Sequence, residues 1–291
     1  VPFGKAWGIL KRRPICLMII AYTLLTAIFI PTFFTGRNIS NYFIQCADTI
    51  VFSCGLLFVM LNGGIDFSSA AVIGLGSLLA AKIMNGDTGW LAGSPWAIPV
   101  AIVAVISLSV FVGLLNGLAV IKLKIPSFIA TMSSNMILLG TALTLSLSAT
   151  ISNLPKEFIE FAKGSLFGWL PNLVIIAAIA VIAVSIVLNR TEFGRCATAV
   201  GANPTAANIS GIPVKKTILK LFLLNGVLVG IAVLMTTARI GVGKAGLGEN
   251  RTLDFVASVV IGGTSPLGGS ATVLGTMLGA MFITLINNSL N

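Results

Sequence analysis

The stretch Asn62-Gly63-Gly64-Ile65-Asp66-Phe67-Ser68-Ser69 sets a carboxylate, an amide and two hydroxyls in a glycine-bearing break between apolar runs that leave no room for a loop. Such a carboxylate falls at membrane depth, where an aspartate costs about 2.5–3.5 kcal/mol and normally faces a bundle interior or a water-filled path. A broken helix also frees backbone N–H and C=O groups, which must find partners in protein or in a cavity. Asp66 can therefore cap the following helix through its N-terminal amides. Together with Asn62, Gly63, Gly64 and Ser68 it can equally shape a polar pathway, and the two roles are compatible.

A second break, Gly262-Gly263-Thr264-Ser265-Pro266-Leu267-Gly268-Gly269-Ser270, also separates short apolar runs. Paired interrupted segments point to a transporter's solute path, so Gly262, Gly263, Thr264 and Ser265 join the candidates. The residues after the two breaks are related, since Ser69-Ala70-Ala71-Val72-Ile73-Gly74 recurs as Ser270-Ala271-Thr272-Val273-Leu274-Gly275. Both stretches run in the same direction in the expected topology, so they offer no evidence for an inverted repeat.

The third constellation is residues 189–216, with Thr191-Glu192-Phe193-Gly194-Arg195, then Val200-Gly201-Ala202-Asn203-Pro204-Thr205-Ala206-Ala207-Asn208, then Ser210-Gly211-Ile212. Pro204 suits the first position of a short helix after Asn203. At about 28 residues the stretch is long for a connector in a compact bundle. Its small residues suit close packing, and it reads as a docking surface for a cytoplasmic partner.

Other chemistry is excluded by residue type. With no histidine, imidazole acid/base catalysis, His metal ligation and the Ser-His-Asp triad all fall away. Cys16, Cys46, Cys54 and Cys196 form no C-x-x-C and read as small packing residues, and no metal site is expected. Gly241, Gly243 and Gly246 satisfy G-x-G-x-x-G in an expected outer loop without a preceding strand, and no G-x-x-x-x-G-K-[ST] occurs. If ATP drives this protein, another chain binds it. Glu157 and Glu160 read as part of an interfacial amphipathic turn with Phe158 and Phe161 in lipid. Gly113/Gly117, Gly226/Gly230 and Gly275/Gly279 read as close helix packing.

The elements that must position these residues follow from composition. Of the 291 residues 56% are hydrophobic and 9% charged, with mean hydropathy +1.04. That apolar surface exceeds what one water-facing core can hold and needs lipid as solvent. The runs are continuous and mostly about twenty residues long, unlike the ten-residue alternating segments of a membrane barrel. We therefore expect an all-α polytopic transmembrane bundle forming one domain over residues 1–291. Nine spans are expected near residues 14–34, 48–61, 68–84, 97–121, 127–149, 170–188, 217–237, 255–261 and 271–287, the second and eighth being short. A tenth helix and the natural N-terminus are expected to lie outside this sequence.

With the N-terminus in the cytoplasm, eleven basic residues fall inside: Lys5, Lys11, Arg12, Arg13, Lys122, Lys124, Arg190, Arg195, Lys215, Lys216 and Lys220. Six fall outside: Arg37, Lys156, Lys163, Arg239, Lys244 and Arg251. This asymmetry favours that orientation. The net charge of +10 is thus a topology signal and implies no nucleic acid.

Five collinear motifs carry a resemblance to a known family. Gly64-Ile65-Asp66-Phe67-Ser68, Pro126-Ser127-Phe128-Ile129-Ala130-Thr131, Thr191-Glu192-Phe193-Gly194-Arg195, Ala206-Ala207-Asn208-Ile209-Ser210-Gly211-Ile212 and Val259-Val260-Ile261-Gly262-Gly263-Thr264-Ser265-Pro266-Leu267-Gly268-Gly269 resemble the ribose/monosaccharide-type ABC importer permeases. Those belong to the same broad family as the branched-chain amino acid permeases. The departures are Phe67 and Ser69-Ala70, where the family more often has Leu and Val-Gly, and the last helix expected to lie outside this sequence; they leave the solute open but not the class. The resemblance implies a multi-pass permease of the bacterial inner membrane that carries a monosaccharide or sugar-like solute and forms a homo- or heterodimer with a second permease chain. It also implies a periplasmic substrate-binding protein and a cytoplasmic ATP-binding subunit that holds ATP and Mg, with no cofactor in this chain.

Under it Glu192, Gly194, Arg195, Gly201, Asn203, Ala206, Ala207 and Gly211 form the ATPase-coupling segment. Asp66 and Ser68, with Asn116 and Asn135, shape the path, and no residue performs covalent chemistry, so the chain itself is no enzyme. The alternative is an ion-coupled secondary carrier with Asp66 as its proton or sodium site. A membrane-embedded enzyme ranks last, for want of a nucleophile with a base.

Overall fold

The structure is a computed structural model describing residues 14–249 and 251–290. The basic cluster Lys5, Lys11, Arg12 and Arg13 lies outside the described residues, as do Asn250 and Asn291. Among the described residues the chain forms twelve α-helices, a two-stranded hairpin and two 3-10 turns. They are α1 (Pro14–Phe29), α2 (Gly36–Leu61), α3 (Ser69–Met84), α4 (Ala97–Lys122), α5 (Ser127–Ser146) and α6 (Lys156–Lys163). The hairpin β1 (Ser165–Leu166) and β2 (Leu170–Pro171) leads to α7 (Asn172–Arg190), α8 (Glu192–Ala202), α9 (Pro204–Ile209), α10 (Val214–Ile240), α11 (Arg251–Ile261) and α12 (Val273–Leu290).

Each of the nine apolar segments holds one helix: α1 to α5, α7, α10, α11 and α12. Six of these (α2, α4, α5, α7, α10, α12) are long and apolar enough to cross a membrane, while α1 and α3 are shorter apolar helices. The chain is thus all-α and multi-pass.

Lipid tails offer no hydrophobic drive for helix association, so close contact depends on small residues that let backbones approach. α4 and α10 meet in that way. A Cβ at Gly113 would stand 2.6 Å from the Phe222 carbonyl oxygen, and one at Gly226 would stand 2.8 Å from that of Ser109. Gly279 of α12 approaches the Ser258 carbonyl of α11 more closely still. At the centre runs α2, buried from Cys46 to Leu61 against α10, α11, α12 and α7.

The second span corrects the expectation of a short segment beginning at residue 48. Thr35 caps α2 by accepting from Asn38 N, and the helix then runs 26 residues, about 39 Å. Its polar first half finds partners on α12, where Asn38 and Asn288 exchange amide hydrogen bonds (3.1 and 3.3 Å) and Tyr42 Oη donates to the Met281 carbonyl (3.0 Å). Hydropathy alone misses a helix whose polar face is covered by another helix.

A second correction concerns residues 241–249, expected in an outer loop. After α10 ends at Gly241 (φ +77°), the chain pairs Gly243 with Ile151 and then runs along α3. Gly243 packs on Ala81 and Ser77, Ala245 on Gly74, and Gly248 on Ala70. Residues 70–81 of α3 cover about 16 Å along its axis. The non-helical segment therefore descends into the bundle, which explains why α11 is only 11 residues long.

The expected turn at Glu157 and Glu160 is the amphipathic helix α6. Phe161 is exposed, but Phe158 is buried in the protein core and does not face lipid. The loops at residues 85–96 and 151–169 are tied together by Gly86 N donating to the Asn153 carbonyl (2.9 Å) and Asn153 Nδ2 donating to Asp87 (2.8 Å). All four cysteines are free.

Candidate functional site

Both breaks begin with the same C-terminal motif. At the end of α2, Gly63 (φ +73°) donates to the Met60 carbonyl and Gly64 to that of Val59 (2.8 and 3.2 Å). At the end of α11, Gly263 (φ +89°) donates to Val260 and Thr264 to Val259 (2.8 and 3.2 Å). This is the Schellman arrangement, which needs a left-handed residue and so favours glycine.

The backbone freed by the first break is received by hydroxyls of α5. Ile65 N donates to Ser127 Oγ (3.3 Å) and Phe67 N to Thr131 Oγ1 (3.1 Å), while Phe67 and Phe128 pack edge to face. The motif at residues 126–131 thus satisfies the motif at residues 64–68, as membrane-depth backbone requires.

Asp66 is 3% exposed. Its Oδ1 accepts from Ser68 N (2.8 Å) and Ser68 Oγ (2.6 Å), and its Oδ2 from Asn225 Nδ2 (2.5 Å) and Ser69 Oγ (3.3 Å). It therefore grips the residue before α3 in an Asx turn and does not reach the first-turn amides of that helix. Asn116 Nδ2 donates to Ser68 Oγ (2.9 Å), and Ser134 Oγ donates to Asn116 Oδ1 (2.6 Å). One buried network therefore joins α3, α4, α5 and α10. The space beside it is about 10 Å³, at the lower limit for one water.

Asn135, expected near this site, is half-buried and outside the network; Ser134 takes that place. Asn225 is a member that sequence reasoning missed. Its available signal was an amide in the middle of an apolar run. Asn62 is the C-cap of α2, with its Oδ1 buried and unpartnered among the described residues.

The second break is closed largely on itself. Thr272 Oγ1 donates to the Gly262 carbonyl (2.7 Å), Ser265 N to the Ser270 carbonyl (3.0 Å), and the hydroxyls of Thr264 and Thr276 meet at 3.5 Å. It also touches the first break, since Gly269 N donates to the Leu61 carbonyl (2.9 Å).

The third constellation reaches the same place. Residues 189–216 run from the end of α7 to the start of α10 and hold two helices between them, α8 and α9, joined at Asn203, whose side chain accepts from Ala206 N with Pro204 at the first turn. Thr191 caps α8 by accepting from Gly194 N (3.2 Å). A Cβ at Gly201 would fall on the Leu61 carbonyl oxygen and lie 2.7 Å from Gly269 N. The end of α8 therefore sits directly on the contact between the two breaks. Glu192, Arg195, Asn203, Ala206 and Gly211 are exposed, whereas Gly194 and Ala207 are buried. Ile209 is 82% exposed at the end of α9.

Midway along α2 lies a cluster that the sequence reading did not single out. Asp48, fully buried, receives Arg239 of α10 (2.9 Å), Arg251 of α11 (3.4 Å) and the Thr236 hydroxyl (2.9 Å), all on Oδ2. Arg239 and Arg251, expected as loop charges, thus turn inward. Arg251 also donates to Thr49 Oγ1 (3.1 Å) and lies 5.2 Å from the Phe255 ring and 6.0 Å from Phe52, which stack on each other at 4.6 Å. Beside the cluster opens a polar cavity of about 280 Å³, lined among others by Gln45, Thr49, Arg239, Arg251, Asp254 and Asn287. The available signal was a second aspartate at the edge of an apolar run.

Removing one member of a buried ion cluster leaves its partners uncompensated. Because the two arginine side chains keep about a fifth of their exposure, Asp48→Asn is expected to cost about 2 kcal/mol. The measurement is the midpoint of thermal unfolding in lipid nanodiscs, and an unchanged midpoint would contradict the cluster's structural role.

Six helices long and apolar enough to cross a membrane, two broken segments that touch each other, a buried polar knot and an open polar cavity beside the middle of α2 fit a multi-pass permease. The chain belongs to the family described as permease components of branched-chain amino acid transport systems, which matches residues 38–291. It is 31% identical to the ribose import permease protein of Escherichia coli over 297 residues, covering 99% of this chain and 88% of that protein. The galactose/methyl galactoside import permease protein of Haemophilus influenzae is 30% identical over 298 residues, with shares of 99% and 88%. The D-allose transport system permease protein of Escherichia coli is 32% identical over 260 residues, with shares of 89% and 77%. No solved structure gives a significant match. The kinship read from the five motifs is borne out.

Proposed function

We propose that this chain is the transmembrane subunit of an ATP-driven importer of a monosaccharide or similar small polar solute in the bacterial inner membrane. Nine spans in one domain over residues 1–291, an N-terminus in the cytoplasm and a second permease chain belong to this reading. A periplasmic binding protein delivers the solute, and ATPase subunits carrying ATP and Mg dock on residues 189–216. The carrying observation is the three-way contact of Gly201 with the Leu61 carbonyl and the Gly269 amide, which joins the docking surface to both broken helices.

ATP can shift the access state only by stabilising one arrangement of the pathway over another, and this contact is where such a preference enters the bundle. Asp66, Ser68 and Asn116 shape the path by holding α3, α4 and α10 together, and the glycines and hydroxyls of the second break complete its wall. Exposed Ile209 and the arm from Asn203 to Gly211 supply the surface on which the ATPase closes.

The test is reconstitution of the chain with its ATPase and binding protein in proteoliposomes. ATP-dependent uptake of labelled D-ribose, D-galactose, D-xylose or D-allose is expected. Uptake driven by a proton or sodium gradient without the ATPase would establish the ion-coupled alternative instead.

Orientation has its own test. In a chain freed of native cysteines, Ser165→Cys is expected to react with an impermeant maleimide from outside intact cells. Ala202→Cys should react only after permeabilisation, and its labelling in intact cells would reverse the topology.

A further inference from the structure

We propose that the polar cavity at the middle of α2 is a solute site for a neutral, polyhydroxylated molecule the size of one sugar ring. This inference rests on the importer reading above and names the place where the solute pauses inside the chain.

Depth comes first. Asp48 and Thr49 are the thirteenth and fourteenth residues of the 26-residue α2, half-way along the central helix. Arg239 is the penultimate residue of α10 and Arg251 the first of α11, so the cavity lies where those helix ends meet the middle of α2, and transporter sites are built at such discontinuities. Here the discontinuity is residues 241–249, and Leu247 of that segment lines the cavity. Non-helical backbone at membrane depth is tolerated where it is buried in protein or lines a water-filled space.

Size comes second. A volume of about 280 Å³ equals roughly nine waters at about 30 Å³ each. It stands just under the usual range of about 300–1,000 Å³ for small-molecule sites. The space beside Asp66, by contrast, admits no solute.

Charge and chemistry come third. Arg239 and Arg251 both pair with Asp48 and a second carboxylate, Asp254, lines the cavity, so two positive charges stand beside two negative ones and the surroundings favour a neutral guest. Arg239 Nε is buried and unpartnered among the described residues. Arg251 is immobilised by Asp48, Thr49 and the stacked Phe52–Phe255 pair. Around these fixed donors stand groups that both give and take hydrogen bonds: the amides of Gln45 and of Asn287, whose Nδ2 donates to Asp254 (2.9 Å), and the hydroxyls of Thr49 and Thr284. A sugar hydroxyl also donates and accepts, so a polyol uses such a lining more fully than an ion or an apolar solute does.

The test separates this site from the importer reading. Uptake of labelled D-ribose, D-galactose, D-xylose and D-allose is measured with the complete transporter in proteoliposomes. Equilibrium binding of the same sugars is measured on the permease–ATPase complex in nanodiscs without the binding protein. The wild-type complex is expected to bind the transported sugar saturably, and Asn287→Ala and Gln45→Ala to weaken that binding at least tenfold. Thr284→Val keeps the side chain's shape, so a loss there of at least threefold with unchanged thermal unfolding marks a lost contact and not a lost fold. Sugar uptake without wild-type binding, or binding unaltered in all three variants, would overturn the site. Uptake of none of the four sugars would instead overturn the sugar reading on which it rests.

Discussion

Gly201→Ala is expected to lower ATP-driven uptake at least tenfold while the chain still folds into the membrane. The added methyl group would fall on the Leu61 carbonyl oxygen and close on Gly269 N. Both are backbone atoms of one hydrogen bond (2.9 Å) between the two breaks, so neither can rotate away as a side chain would. Nor can the second break retreat freely, since a Cβ at Gly268 would itself stand 2.8 Å from Gly63 N and from the Gly201 carbonyl oxygen. The end of α8 must move outward. α8 is otherwise held by buried Ala197 and Val200 and by Lys220 lying 5.9 Å from the Phe193 ring, so the movement concentrates at the junction.

Overpacking of this kind costs about 1–3 kcal/mol, which a bundle of this size survives. Coupling between two sites commonly amounts to about 1–3 kcal/mol, or roughly 5–150-fold, so losing the junction is enough to disconnect hydrolysis from transport. Parallel assays of ATP hydrolysis and uptake in proteoliposomes provide the check. Hydrolysis that continues while uptake fails is the expected pattern, and uptake within twofold of wild type would remove the junction from the mechanism.

The second large effect is expected at Asp66, where leucine and asparagine should part company. Asp66→Leu strands the Ser68 N–H and the Asn225 amide in a buried site with no replacement acceptor, although the serine hydroxyls can reorient. At about 1–3 kcal/mol for each unsatisfied buried group, the variant loses about 2–6 kcal/mol and most of its transport. Asparagine forms the same Asx turn, so its oxygen keeps the two bonds to Ser68. Its amide would then oppose the amide of Asn225. However, Asn225 Oδ1 is buried without a partner among the described residues, and a half-turn of that side chain offers it as the acceptor. Asp66→Asn is therefore expected to retain at least a third of wild-type uptake. Thermal unfolding and uptake measured on both variants decide the matter. Equal and complete loss in the two, with wild-type uptake abolished by a proton uncoupler at undiminished ATP, would reassign Asp66 as an ion-coupling site.

Much of this site is legible in the residue order alone, and the reason is local. The breaks at residues 62–69 and 262–270 announce themselves because glycine and polar residues in an apolar run leave backbone groups that lipid cannot satisfy. Asn203-Pro204 announces α9 because a side-chain cap and a fixed φ act within one turn. The pairs Gly113/Gly117 and Gly226/Gly230 announce close packing, though not that the first packs on the second. Asn135, named through the resemblance, gives way to Ser134 because the choice depends on which side of α5 meets Asn116.

By itself the sequence determined that the solvent of this chain is lipid, that its polar chemistry is hydrogen bonding without acid/base catalysis by histidine, and where its helices must break. Each follows from residue type or from spacing within a turn or two. Tertiary structure decided which distant groups share a site: Asp66 with Asn225 across 159 residues, Asp48 with Arg239 and Arg251 across 191 and 203, and Gly201 with both breaks. Two charges on different helices carry no periodic signature of their meeting, because helix registry is set by the packing of small residues all along the interface. Arg239 and Arg251 therefore look like loop charges in the sequence, and only the descent of residues 241–249 along α3 places Arg251, with Arg239, beside Asp48 at the middle of α2.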